Sequence, residues 1–238
     1  MNKVQEKPVL ALTFHDVGKN ESWDSVTEHH LDEILYFLNS EMLKEAVTDV
    51  VITFDDGLQS QYSAAKTILQ KHRMKAIFFI CPGLVGTEGH MSWKQLKDLV
   101  TLGHEIGCHS LNHDVLTSLT KYALMRNCLK CKRAIEEGLG IKAKSFSIPF
   151  GETNSRVVKI LRKAGFEYVY TSGERLGSRG SYQIPRININ ELKDISFLRN
   201  LIFDRSYRNF YRVLVFGKWL LKRTIGMHFY REIRRNLF

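Results

Sequence analysis

Proline is scarce in this chain, four residues in 238, and no stretch combines serine, glycine and proline into an evident linker. One α/β domain over residues 1–190 with a C-terminal extension over 191–238 is therefore expected, rather than several tethered modules. Long apolar runs are also missing. None approaches the roughly eighteen residues a membrane-spanning helix needs, and MNKVQEKPVLALTF has neither the apolar core nor the small-residue cleavage site of an export signal. Cysteine is limited to Cys81, Cys108, Cys128 and Cys131. In a chain of this length these read as reduced thiols, so a cytoplasmic location is expected. Cys128 and Cys131 are spaced as a metal pair, but no second pair accompanies them, and helix packing is the expected role.

Acidic residues fall short of basic ones, 25 against 35, for a formal charge of +10. The deficit is local. Residues 193–238 hold 11 Lys/Arg and 3 Asp/Glu, a difference of +8, leaving the rest nearly balanced. The segment 206–223 is amphipathic, with Phe210, Val213, Leu214, Leu220 and Leu221 towards one side and Arg208, Arg212, Lys222 and Arg223 towards the other. Such a helix can pack on a domain or lie in a membrane interface, drawn by anionic lipid. No recognised nucleic-acid motif accompanies the charge, and no nucleic-acid partner is expected.

What is present is an alternation of short β-branched runs and helical patterns. Strands are predicted at 9–14, 49–54, 75–81, 104–108, 144–149, 166–171 and 182–189. Helices are predicted near 32–45 and at 58–72, 92–102, 120–137 and 155–164. About seven strands joined through helices predict a parallel sheet with barrel-like closure, a distorted (β/α)7-type barrel with a basic helical extension. In such folds chemistry gathers at the C-terminal ends of strands, where His15, Asp55, Asp56, His109 and Pro149-Phe150-Gly151 all fall.

VVITFDDG ends a buried strand in two carboxylates and a glycine. One carboxylate can bind a metal while the other faces a reacting water, although Asp-Gly is equally a turn dipeptide. In CHSLNH, His109 and His113 are spaced to converge on one cation; with one carboxylate they make a three-ligand site of the catalytic zinc kind. SIPFG (147–151) is a strand ending in a tight turn, whose Phe150 N–H can point at a developing oxyanion.

TFDDG, HSLNH and PFG, in this order, resemble the polysaccharide deacetylase family with NodB homology, carbohydrate esterase family four, over roughly residues 8–190; GHMSWKQL and IPRINI fit the same family. The resemblance implies a distorted barrel and a divalent metal, commonly zinc, held by Asp56, His109 and His113, with Asp55 as general base. Two departures stand out. Ser147 occupies the position where the family's third motif often has arginine, and Phe150 replaces its tyrosine. Arg186, in IPR at another strand end, is the candidate replacement for the arginine that orients the base, its fork being suited to a carboxylate. The family's usual Leu-x-His source of a general acid is not evident, and His228 matches it poorly. His15, in LTFHDVG, resembles a Tyr-His segment of exopolysaccharide deacetylases and is taken as the acid, with Asp16 as its orienter or a turn residue.

The resemblance thus implies a metal-dependent removal of N-acetyl groups from an amino sugar in a glycan or lipid-linked saccharide. The basic extension suggests peripheral contact with the inner membrane face. Two alternatives stay open: a related metal hydrolase acting on another amide, and a catalytically degenerate barrel that binds glycan or membrane.

Overall fold

The computed structural model describes residues 8–18 and 24–225; expectations placed on residues 1–7 and 226–238, His228 among them, lie outside the described residues. The chain forms two compact units, residues 1–191 and 192–238.

The first unit is a parallel β-structure wrapped by helices. Its strands are β1 (Val9–Phe14), β2 (Asp49–Phe54), β3 (Ile77–Ile80), β4 (Glu105–Cys108), β5 (Ser145–Ser147), β6 (Tyr168–Thr171), β7 (Gln183–Pro185) and β8 (Ile187–Asn188). They lie in the order β7-β6-β5-β4-β3-β2-β1-β8, every pair parallel. The two ends of that order are adjacent in sequence. The single segment 183–188, expected as one strand, pairs with β6 through its first half and with β1 through its second. It changes partner at Arg186 and so closes the sheet. Counted by chain segments there are seven strands, which makes the fold a distorted (β/α)7-type barrel.

The helices are α1 (Glu28–Leu38), α2 (Glu41–Ala46), α3 (Gln59–Ala64, continued by a π turn over Ala65–Leu69), α4 (Trp93–Thr101), α5 (Lys121–Leu139) and α6 (Ser155–Lys163). The helical stretch expected near 32–45 is two helices. Ser40 sits in extended conformation and accepts a bond from the Leu43 N–H, so it starts a new helix where one could have continued. Side-chain caps also begin α1 (Thr27), α5 (Thr120) and α6 (Asn154), and Ser92 with Gln95 forms a full capping box on α4.

Strand alternation divides the buried residues in two. Phe14, Phe54 and Phe78 share one register on β1, β2 and β3 and stack at 5.4 and 5.0 Å. Their neighbours point the other way, where Ile77, Phe79 and Tyr170 pack with Val51 and Ile184. That second face is the barrel interior. Gly107 belongs to it, since a Cβ there would come within 2.5 Å of the Phe79 ring and 2.6 Å of Ser145 Oγ. The Arg186 guanidinium lies over the rings of Phe79 and Tyr170, at 5.4 and 5.9 Å, and Arg186 is 1% exposed.

The second unit consists of α7 (Ile195–Phe203), capped by Asp194, and α8 (Arg205–Ile225). Phe197 meets Tyr207 and Tyr211 edge-on at 6.2 and 5.1 Å. No described helix is long and apolar enough to cross a membrane.

Candidate active site

Asp55 is the first residue past β2, and its N–H continues the ladder to Phe14 O at 3.0 Å. The alternation that turns Phe54 outward turns Asp55 inward, where it is 3% exposed. Arg186 meets it as a fork: Nη1 donates to Oδ1 at 2.7 Å and Nη2 to Oδ2 at 2.6 Å. Ser147 Oγ donates to Oδ2 at 2.9 Å and accepts from Arg186 Nη2 at 2.7 Å, while Thr53 Oγ1 accepts from Nη1 at 2.8 Å. Burial would raise the Asp55 carboxyl, but the Arg186 charge, then that of His109, outweighs it and holds the group far below the usual carboxylate range. Asp55 is thus a buried, ionised carboxylate with both oxygens fixed.

Asp56 turns away. It has φ 75°, and Gly57 follows at φ 78° with Ile80 Cδ1 only 3.0 Å from where a Cβ would sit. Two consecutive left-handed residues make a sharp turn that only glycine completes without strain. Asp56 Oδ1 is 3.3 Å from His109 Nε2 and 3.2 Å from His113 Nε2. Among the described residues these are the three side chains whose ligand atoms all lie within 4.8 Å of one another.

The imidazoles are held from behind. His109 Nδ1 sits 2.9 Å from the Ser147 carbonyl, which makes Nδ1 the donor and leaves Nε2 as the metal-competent nitrogen. Its backbone is pinned by Ile80 O at 2.9 Å and by the Cys81 thiol, which donates to its carbonyl at 3.0 Å. The loop to His113 is tied by Ser110 Oγ, which accepts from the Asp114 N–H at 2.8 Å, and by Asn127 of α5, which donates to Asp114 Oδ2 at 2.7 Å. Burial lowers the His109 pKa, but the charges of Asp55 and Asp56 override it and the net direction is up; for His113 burial dominates, assisted by His109, and the direction is down.

The donor set fits a small divalent cation. Ligand atoms about 2.0–2.2 Å from a tetrahedral ion stand roughly 3.3–3.5 Å apart, close to the two Asp56–imidazole separations. Asp56 Oδ1 is buried and makes no hydrogen bond despite two nitrogens within reach, as expected of an atom aimed at a shared third point.

Four of the six non-glycine residues with positive φ among those described, Asp56, Ser110, His113 and Phe150, cluster at this end of the barrel. Such conformations cost on the order of 1–3 kcal/mol each and concentrate at functional sites. Phe150 (φ 59°, ψ 0°) follows β5 with its ring 4.4 Å from His113, and it is 41% exposed. His15, past β1, acts electrostatically on Asp55, Asp56 and His113, and its Nδ1 is buried without a hydrogen-bond partner among the described residues. Asp16 accepts from Ser60 Oγ at 2.5 Å and belongs to the turn joining that loop to α3.

All seven expected site residues therefore meet at one end of the barrel. Two more belong with them. Ser147 links Arg186 to Asp55. Gln61, fully buried on α3, donates through Nε2 to the backbone carbonyls of His15 (2.8 Å) and Asp55, tying the β1 and β2 loops together. The signal for Gln61 was a polar residue on the inward side of an otherwise apolar helical face; for Ser147 it was the arginine it replaces. All four cysteines are buried free thiols.

The sequence matches the polysaccharide deacetylase family model over residues 42–169. Relatives include the poly-β-1,6-N-acetyl-D-glucosamine N-deacetylase of Staphylococcus aureus, 27% identical over 177 residues, covering 68% of this chain and 60% of that protein. A Bacillus subtilis protein named for polysaccharide deacetylation, YxkH, is 28% identical over 143 residues, covering 59% of this chain and 51% of its own length. The chain thus spans about half to three fifths of these curated relatives. Among solved structures, the Streptococcus pyogenes deacetylase PplD in complex with acetate superposes with a TM-score of 0.74 at 20% identity, covering 83% of this chain and 99% of that one. With the family model spanning more than half its length, the chain belongs to the polysaccharide deacetylase family.

Proposed function

We propose that this protein is a metal-dependent N-deacetylase that hydrolyses the N-acetyl group of an amino sugar within a glycan. The observation that carries the reading is the pairing of two unlike carboxylates at one turn: Asp56 with two imidazole nitrogens at 3.2–3.3 Å, and Asp55 beside it, withheld from that set by a two-pronged guanidinium. The Staphylococcus aureus relative named for an N-acetylglucosamine polymer supports this class of substrate.

Asp56, His109 and His113 would hold the metal, zinc being the ion that suits two imidazoles and one carboxylate. Bound there, it supplies Lewis acidity towards the amide carbonyl and acidifies water. Asp55 takes the proton of the attacking water, held ionised and correctly turned by Arg186 and Ser147. The Phe150 N–H stabilises the charge that develops on the carbonyl oxygen; the left-handed backbone of Phe150 beside His113 supports that placement. His15 delivers a proton to the departing amine, so that water and amide give acetate and a free amino sugar. A saccharide still growing or carried on a membrane lipid is the substrate form that the basic C-terminal unit suits.

The test is acetate release from β-1,6- and β-1,4-linked N-acetylglucosamine oligomers by the metal-loaded protein. Acetate should appear in step with free amine, and Asp55→Asn should lower turnover by about 10²–10⁴-fold while metal content is retained. Absence of acetate from every N-acetylated oligomer would remove the reading, and undiminished turnover by Asp55→Asn would remove Asp55 as base.

A further inference from the structure

Helix α8 carries a surface that the barrel's chemistry does not use. At the 3.6 residues per turn of an α-helix, Phe210, Val213, Leu214, Gly217 and Leu220 fall within an arc of about 120°. Phe210 is 60% exposed, Val213 69%, Leu214 45% and Leu220 47%. Gly217 lies in the same arc, and a Cβ built there meets nothing within 4 Å. The flank beyond Leu214 is engaged, through Tyr207 and Tyr211 against Phe197. The stripe is therefore an outward apolar face on a helix of 21 residues, about 31 Å long. An unpaired apolar face of this extent on a folded helix needs a partner.

Charge selects the partner. Arg205 and Arg212, both exposed, lie beyond the Leu220 edge of the stripe, about 60° and 80° further round the helix, with side chains long enough to reach back towards it. Residues 193–238 carry 11 basic and 3 acidic side chains, most of the protein's formal charge of +10. A second copy of this helix would bring like charges together, whereas a surface that is apolar at depth and negative at its rim satisfies both features at once.

We propose that the Phe210–Leu220 face of α8 is a docking surface for a membrane containing anionic lipid, the helix lying in the plane of the interface with its arginines among the headgroups. This rests on α8 alone and stands or falls independently of the deacetylase reading.

Co-sedimentation of the full chain with vesicles tests it. Vesicles of phosphatidylglycerol mixed with phosphatidylcholine should pellet the protein, phosphatidylcholine alone at least tenfold less, and high salt should weaken the anionic binding. The triple variant Phe210→Ser, Leu214→Ser, Leu220→Ser should lose at least tenfold in binding, with thermal unfolding close to that of the parent because all three side chains are exposed. The variant Arg205→Glu, Arg212→Glu should lose the preference for anionic vesicles while leaving the apolar stripe intact. Failure of the parent to pellet with anionic vesicles, or undiminished binding by the triple variant, would overturn the proposal. So would self-association of the parent without lipid that the triple variant abolishes, which would make a second copy the occupant of this face.

Discussion

Asp55 carries three side-chain donor bonds on two oxygens, and their geometry assigns each donor a separate job. The guanidinium of Arg186 supplies charge and a plane; the Ser147 hydroxyl, hydrogen-bonded to both, fixes where that plane sits. Lysine in place of arginine keeps the charge and loses the fork. Arg186→Lys should therefore lower kcat by one to two orders of magnitude with KM little changed, and should also destabilise the fold, since a buried ion pair with one partner misplaced costs about 3 kcal/mol or more. Ser147→Ala removes a neutral hydroxyl and should cost only about 1 kcal/mol, with a kcat reduction of less than tenfold. Equal effects of the two on chemical denaturation and on kcat would show that they are not graded in this way. The motifs that mark the proposed metal set are contiguous or nearly so, Asp55-Asp56 in one turn and His109 with His113 in another, and both stand out in the sequence. The partnership of Arg186 with Asp55 spans 131 residues and could be read only from a missing arginine. For Ser147 the arginine it replaces was the one signal, because a small hydroxyl at a strand end fits packing as well as it fits a bridge.

At the scale of elements, β4 is preceded by a histidine that serves structure rather than chemistry. His104 is 6% exposed, accepts the Ala76 N–H at Nδ1 at 3.2 Å, and sets its ring edge against Phe78. Burial, with Lys75 assisting, pushes its pKa down from the ordinary 6.5 to about 4. The neutral ring is the folded form, so between these two values the unfolded chain binds the extra proton. The contribution of His104 is complete above about pH 6.5 and is lost as the pH falls towards 4, by on the order of 3 kcal/mol. Urea denaturation across that window should show the slope, and His104→Asn, which keeps an acceptor but does not titrate, should flatten it; an unchanged slope would place the acid sensitivity elsewhere. Strand and helix identities were legible from period and capping residues, because each repeats a local rule. The partner change at Arg186 was not: Tyr182–Ile189 has one unbroken strand pattern, and which neighbour it pairs with is decided by where β1 and β6 lie in space.

At the scale of the molecule, the proposed cation joins two loops that are far apart in sequence, those after β2 and after β4. A ligand that binds only the assembled site stabilises the whole barrel by mass action. Removal of divalent metal with a chelator should abolish acetate release and lower Tm by several degrees. Zinc should restore both together, and recovery of activity without recovery of Tm would argue that the metal acts elsewhere. The fold class was within reach of the sequence because alternation of strands and helices is a property of the entire chain. The outward face of α8 needed coordinates, since an amphipathic pattern does not say which side of a helix its neighbours cover.

The segment that seals the barrel is also the one that delivers the guanidinium to Asp55, the proposed base. Shape and reactivity therefore share a latch: a chain in which residues 183–188 have come loose retains both loops of the proposed metal site yet leaves Asp55 with Ser147 alone to steady it. Such a species would pass a metal assay and fail every turnover assay, and amide exchange in that one stretch would report how often the protein visits it.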